Sequence, residues 1–308
     1  MTEQQTTIAA SPKPRALNGY DRLMRRLDGR RIRRICAHTW LWFVVLAIYA
    51  PILVVIGASF DPGDDVAGMR AFLVFPPRGF SLEWYWNIHP RLWQSLWVSI
   101  SMASLSCAFA LVLGVPAALG LIRGNFRGKI ILGTLFRAPI QMPAIVIGVA
   151  FLQAYYAIGN MFGIPLVATF SGLVIGHVFV AVPYVIGAVG VQLQRFNPAM
   201  EEAALIHGAS RWRTFRRITV PIVMPGLYAG GLYAFLVSFA DVTISLFLSG
   251  PNATPFPVHV LYSIEEDFEP TIPAMSTLVF FGSLVILLLI QRLVGLDVLL
   301  RGGGNSNA

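Results

Sequence analysis

The amino-acid sequence predicts an all-α, polytopic membrane protein with six transmembrane helices. Its 308 residues are 56% hydrophobic and only 12% charged, a balance outside that of soluble globular domains. The apolar residues also fall in long stretches without Asp, Glu, Lys or Arg, each reaching the ~20 residues that one helix needs to cross a hydrocarbon core. Finally, nineteen of the 23 Lys and Arg residues lie in four segments that flank those stretches, the asymmetry of basic flanks retained in the cytoplasm.

Residues 1–38 form a basic tail with nine Lys and Arg, of which residues 1–20 read as disordered. No small-residue cleavage site follows a short apolar core there, so span one, about residues 39–60, is expected to be a retained anchor. The stretch "SLEWYWNIHPRLW" (81–93) reads as an interfacial aromatic belt before span two, about 93–122. A turn follows at "GNFRGKI" (124–130); its glycines and Lys129 have the wrong spacing for a phosphate loop, and Ile130 stands where a magnesium-binding hydroxyl belongs. Residues 138–194 carry no charge and are too long for one crossing, so a turn is expected at "IGNMFGIP" (158–165), giving span three (131–157) and span four (167–192). After a polar segment at 195–221, span five covers 226–249 and breaks at "SGPN" (249–252), beyond which Pro255 and Pro257 are expected to keep the chain out of a helix. Span six, 272–292, precedes a tail at 297–308, and residues 39–296 form the transmembrane domain.

Both termini are expected in the cytoplasm, and a bacterial plasma membrane is compatible with the cysteine usage. Only Arg70, Arg78 and Arg91 fall on the opposite side, and Arg137 is left inside a span. The net charge of +8 therefore reports topology; its basic residues are spread over flanking segments that meet membrane lipid, and no nucleic acid is expected as a partner. Cys36 falls at the cytoplasmic edge and Cys107 inside span two, so no structural disulfide is expected. The sequence has no H-E-x-x-H, no cysteine pair at zinc spacing and no serine nucleophile elbow, and its five histidines are scattered. No catalytic centre, metal or cofactor is expected on this chain.

The polar segment raises the functional question. Residues 201–221, "EEAALIHGASRWRTFRRITVP", form an arginine-bearing island in a chain that otherwise avoids charge. Asn197 and Pro198 punctuate its start, and Ala203, Ala204 and Leu205 favour a short helix whose small side chains let another surface approach. Gly208 permits a sharp turn. A second short helix, capped by Ser210, would present Trp212, Phe215 and Ile218 together at spacings of three, with Arg211, Arg213, Arg216 and Arg217 around them. The residues alone leave two readings open: a ridge that inserts into a groove of a cytoplasmic partner, or an amphipathic connector resting on lipid phosphates.

The order Glu202-Ala203-Ala204, three residues, Gly208, nine residues, Ile218-Thr219-Val220-Pro221 resembles the EAA loop of the permease subunits of binding-protein-dependent ABC importers, with Val220 in place of that loop's leucine. The stretches "FSLEWYW" (80–86), "AALGLIRGNFRGK" (117–129), "RAPIQMPAIVIGVA" (137–150) and residues 237–278 are similar to the polyamine (spermidine/putrescine) type of that superfamily, over roughly residues 40–295. The resemblance implies a type I ABC importer permease fold and a non-catalytic subunit. It implies that Glu202, Ala203, Ala204, Gly208, Trp212, Phe215, Ile218 and Pro221 form the coupling element for an ATP-binding subunit. Two copies of that subunit, a second permease subunit and an extracytoplasmic solute-binding protein would complete the complex. A polyamine is the implied solute, with ferric ion, an aminophosphonate or an opine left open. One departure concerns the acid that relatives place directly after Ser-Phe: this chain reads Ser238-Phe239-Ala240-Asp241, a displacement worth about 100° around a helix.

Asp241 and Arg137 are the charges expected at membrane depth, where each costs at least ~2.5 kcal/mol on insertion scales. Asp241, helped by Ser238 and Thr243, is expected to border the solute path and attract a cation; an acid satisfied by helix contacts is the alternative. Arg137 is expected to snorkel toward the cytoplasmic interface, with pairing to Asp241 as its alternative. Pro116, Pro139, Pro143 and Pro183 fall inside spans, where each frees a carbonyl that must face protein or water; irregular helices along the solute path and simple packing kinks are the two readings. The external segments carry eight acids against three arginines, a field that would draw cations inward. A self-sufficient secondary transporter is the rival from another class; it would need coupling-ion carboxylates within the spans, and Asp241 alone qualifies.

Overall fold

In a hydrocarbon environment each backbone N–H and C=O must be satisfied within its own segment, which favours helices. The computed structural model describes residues 29–62, 75–266 and 270–294, and among these every regular element is a helix. The tails expected at 1–20 and 297–308, like Asp64, Asp65, Arg70, Asp267 and Glu269 of the expected acidic face, lie outside the described residues. The chain divides into two units, residues 1–55 and 56–308.

Helix α1 (Gly29–Ala58) begins well before the expected start of span one, because its Arg-rich first turns are good helix formers and continue into the apolar stretch. Within the first unit, Trp40, Trp42, Phe43 and Leu46 are exposed, and the Trp40 and Phe43 rings stack at 5.8 Å. Such a surface suits a lipid environment.

The second unit continues with α2 (Glu83–Trp86), α3 (Pro90–Arg123), α4 (Lys129–Gln141), α5 (Ala144–Phe162), α6 (Phe170–Arg195), α7 (Ala199–Ile206), α8 (Arg211–Thr214), a π-helical turn (Phe215–Thr219), α9 (Val220–Ala240), α10 (Thr243–Leu248), α11 (Phe256–Glu266) and α12 (Thr271–Val294). Five described helices are long and apolar enough to cross a bilayer: Arg34–Ala58, Pro90–Arg123, Ala144–Phe162, Phe170–Arg195 and Arg211–Ala240. Helix α12, apolar over Thr271–Ile286, stands where the sixth span is expected.

Helices α3, α6 and α9 pack on one another and form the centre of this unit. Their buried cluster uses small side chains, Ala110, Ala118, Ala181, Val185, Val189 and Ala234, because helices in lipid associate by close backbone approach. Gly226 shows how close: a β-carbon there would lie 2.9 Å from the Ala188 carbonyl oxygen and 3.1 Å from Val189 Cα. A second cluster joins α5, α6 and α10 through Ile147, Tyr155, Leu173, Ile244 and Leu248, and the Tyr155 hydroxyl donates to the Gly172 carbonyl at 2.8 Å.

Four expectations need correction. Span three is not one helix: α4 and α5 are separated at Met142–Pro143, since the residue before a proline is driven out of the helical region and Met142 adopts φ −85°, ψ 141°. Pro143 therefore ends a helix, whereas Pro116, Pro139 and Pro183 do sit inside helices. The following turn comes later than expected, with α5 running to Phe162 and closing at Gly163 (φ +68°). Span five does not reach residue 249; α9 stops at Ala240, and Asp241 is extended (φ −71°, ψ 129°). Pro255 and Pro257 do not exclude a helix, because α11 starts at Phe256 and holds Pro257 in its first turn, where no intrahelical N–H is required.

The aromatic stretch is also more than a belt. The Trp84 indole donates to the Asp61 carbonyl at 2.7 Å, Tyr85 and Ser59 share a 2.7 Å hydrogen bond, and Phe60 stacks on Phe80 at 4.5 Å. Trp86 and Trp93 remain exposed. Asp61, expected on an open acidic face, is buried, and its carboxylate accepts from the Arg78 backbone N–H at 3.2 Å.

Candidate functional site

The polar segment folds as its residues dictate. Asn197 accepts from the Ala199 backbone N–H at 3.0 Å and starts α7, and Glu201 and Glu202 in its first turn complement the positive end of the helix. The helix closes on Gly208, whose φ of +84° is a left-handed conformation that costs other residues dearly. There the Gly208 N–H donates to Leu205 and the Ala209 N–H to Ala204, both at 3.0 Å. Ser210 then caps α8, accepting from the Arg213 N–H at 3.3 Å.

The second short helix does not stop as expected. It passes through the π-helical turn into α9, so that Arg211–Ala240 is continuous. Pro221 in the first turn of α9 has no N–H to give to the preceding turn, and the wider turn accommodates that missing donor. The indole of Trp212 stacks on the Phe215 ring at 5.8 Å, while Ile218 is half-buried.

Leu205, Ile206 and Trp212 are exposed beside Glu202, Ala203 and Gly208. Arg211, Arg213, Arg216 and Arg217 are exposed around them, whereas Ala204 and Phe215 are half-buried. The surface is thus an apolar ridge with an exposed acid, Glu202, and a basic rim.

The expected path residues do not form one open cluster. Ser238 is buried on α9, and its hydroxyl has no partner among the described residues. Asp241 is pinned by the protein: one carboxylate oxygen accepts from the Ile244 and Ser245 backbone N–H groups, both at 2.9 Å, and caps α10. The same oxygen lies 3.5 Å from His177 Nε2. His177 is buried, with Nδ1 2.8 Å from the Leu173 carbonyl and Nε2 3.2 Å from the Ser245 hydroxyl. Since Asp241 ends a helix, the expected 100° rotation within one does not apply. Thr243, the first residue of α10, is half-buried beside it.

His177 belongs to no histidine motif in the sequence; its one signal there is that it is an ionisable side chain inside an apolar helix. Arg137 is not its competitor for Asp241. It borders a cavity of about 770 Å³ between α3, α4 and α6, together with Lys129, Gln141 and Gln194. The Lys129 ammonium donates to the Ile122 and Gly124 carbonyls at 3.2 and 3.0 Å, closing the end of α3.

A family model described as "Binding-protein-dependent transport system inner membrane component" matches residues 110–298. The chain is 31% identical over 235 residues to the putrescine transport system permease protein PotI of Escherichia coli strain K12, covering 75% of this chain and 81% of that protein. It is 28% identical over 262 residues to the spermidine/putrescine transport system permease protein PotC of the same strain, covering 84% and 94%. Among solved structures, a bacterial ABC transporter involved in the import of the acidic polysaccharide alginate has a chain of the same fold. The TM-score is 0.68 at 19% identity, over 86% of this chain and 97% of that one.

Proposed function

This chain belongs to the binding-protein-dependent transport system inner membrane component family, and from that premise we propose that it carries a polyamine such as putrescine or spermidine and is driven through residues 199–221. It is the non-catalytic, multi-pass membrane subunit of an ABC importer and works with ATP-hydrolysing and solute-binding partners. The single observation that carries the coupling reading is the exposed ridge of α7 and α8, held by left-handed Gly208 and offering Glu202, Ala203 and Trp212 outward. The likeness to PotI and PotC supports the solute class.

In this reading two ATPase subunits, a second permease subunit and an extracytoplasmic binding protein complete the complex in the bacterial inner membrane, surrounded by lipid. Both termini and the 199–221 ridge face the cytoplasm, in keeping with the basic flanks. Ala204, Phe215 and Ile218, half-buried, support the ridge from behind, and Pro221, exposed in the first turn of α9, completes the coupling segment. Asp241 and Thr243 border the solute path at the junction of α9 and α10, and Ser238 joins them only when α9 separates from its neighbours.

The complex reconstituted in proteoliposomes tests this with tritiated putrescine and spermidine, competed by ferric ion, an aminophosphonate or an opine. ATP-dependent accumulation of a polyamine is expected, together with its loss and release of the ATPase subunit in Gly208→Val. Competition by another solute class alone overturns the substrate. Uptake without the ATPase subunit, or labelling of residues 199–221 from outside, overturns the coupling role.

A further inference from the structure

Helix α7 presents a mechanical difficulty. It has eight residues and none is buried, and isolated helices shorter than ~12–15 residues are marginal in water. An element that receives force from a partner must nevertheless be fastened to the helices it moves.

Among the described side chains, one carboxylate fastens α7 to two other elements. Arg123 Nη1 lies 2.9 Å from Glu201 Oε1 and donates to Oε2 at 3.2 Å, while the Thr219 hydroxyl donates to Oε1. Arg123 is the last residue of α3, and its guanidinium lies 5.0 Å from the centre of the Phe196 ring. Phe196 is buried and closes α6. Thr219 is buried at the end of the π-helical turn that leads into α9. Charge-assisted hydrogen bonds are shorter and stronger than neutral ones, so Glu201 ties α7 directly to the end of α3 and to the turn that enters α9, and through Arg123 and Phe196 to the end of α6. The adjacent Glu202, about 100° further around α7, is exposed.

We propose that Arg123, Glu201 and Thr219 form the transmission joint of the importer: Glu202 faces the ATPase subunit, and Glu201 passes its displacement to α3, α6 and α9. This rests on the coupling role of residues 199–221. Glu201 is thus a positioning residue. Its ion pair is partly exposed, with side chains at 33% and 22% of full accessibility, and pairs in such surroundings contribute little to folding. The joint should therefore govern energy transfer more than stability.

The test uses the whole complex in proteoliposomes, with uptake and ATP hydrolysis measured in parallel; the tracer is putrescine, or the solute that the wild-type complex accumulates in the preceding assay. Arg123→Glu and Glu201→Arg should retain the ATPase subunit and hydrolyse ATP, while solute moved per ATP falls by about 5-fold or more, the lower end of typical site-to-site coupling. The double reversal Arg123→Glu/Glu201→Arg should restore the ratio. Glu201→Gln, which keeps an acceptor for Thr219, should give a smaller fall and serves if a reversal fails to assemble. Spin labels replacing Arg127 and Met200, both exposed, supply a solute-independent readout: on ATP binding their separation should stay fixed with Glu201 present and broaden in Glu201→Gln.

An unchanged ratio in the single variants, or a double variant no better than either, overturns the joint. If Gly208→Val and Glu202→Ala leave both the ATPase subunit and uptake unaffected, the coupling role itself fails, an outcome separate from failure of the joint.

Discussion

Replacing Gly208 separates backbone shape from simple bulk in the coupling segment. Its φ is +84°, and among the described residues no atom lies within 4 Å of where a β-carbon would sit. An alanine there meets no steric obstacle in this chain, so its cost is the left-handed conformation, about 1–2 kcal/mol. If the ATPase subunit binds only the left-handed form, that energy appears as weaker binding, by about 5–30-fold. Asparagine tolerates the left-handed region better than alanine, despite its larger side chain. Affinity of the solubilised permease pair for the purified ATPase subunit, read by surface plasmon resonance, should therefore rank Gly208 first, Gly208→Asn second and Gly208→Ala last. The reverse order of the two variants would mean that the partner's surface, and not the turn, excludes a side chain. Equal affinity for all three would refute the reasoning.

Two further outcomes follow from the helix junctions. His177→Leu should lower thermal stability in detergent by about 1–3 kcal/mol, because it leaves the Asp241 carboxylate and the Ser245 hydroxyl without their imidazole neighbour; an unchanged melting curve would count against that packing. Asp241→Asn keeps an acceptor for the Ile244 and Ser245 N–H groups, so its stability loss should be smaller. Unaltered uptake in that variant removes the negative charge from the solute path. Gly226→Leu should cost about 1–3 kcal/mol through overpacking against α6, while Gly282→Ala, which meets no atom within 4 Å among the described residues, should be neutral or slightly stabilising in the same melting assay.

What was legible in the linear order of residues is what depends on composition and near neighbours. Charge-free runs of ~20 residues or more become helices in a bilayer because a helix satisfies its backbone within one continuous apolar segment, whereas a barrel would need short alternating strands, and basic flanks mark their ends. The Gly208 turn and the Ser210 cap were readable for the same reason: each is set by a residue's own backbone freedom or by a side chain reaching three positions along.

The tertiary structure decided the rest. Whether α9 continues past residue 240 depends on Asp241 capping the next helix, with His177, distant in sequence, beside it. Of two adjacent glutamates, the placement of Arg123 at the foot of α3, 78 positions from Glu201, and of Thr219 at the entry to α9, determines which is fastened and which is presented. Local sequence encodes the capacity of a carboxylate to cap, pair or bind; which of these it does is fixed by the partners that packing brings within about 3 Å.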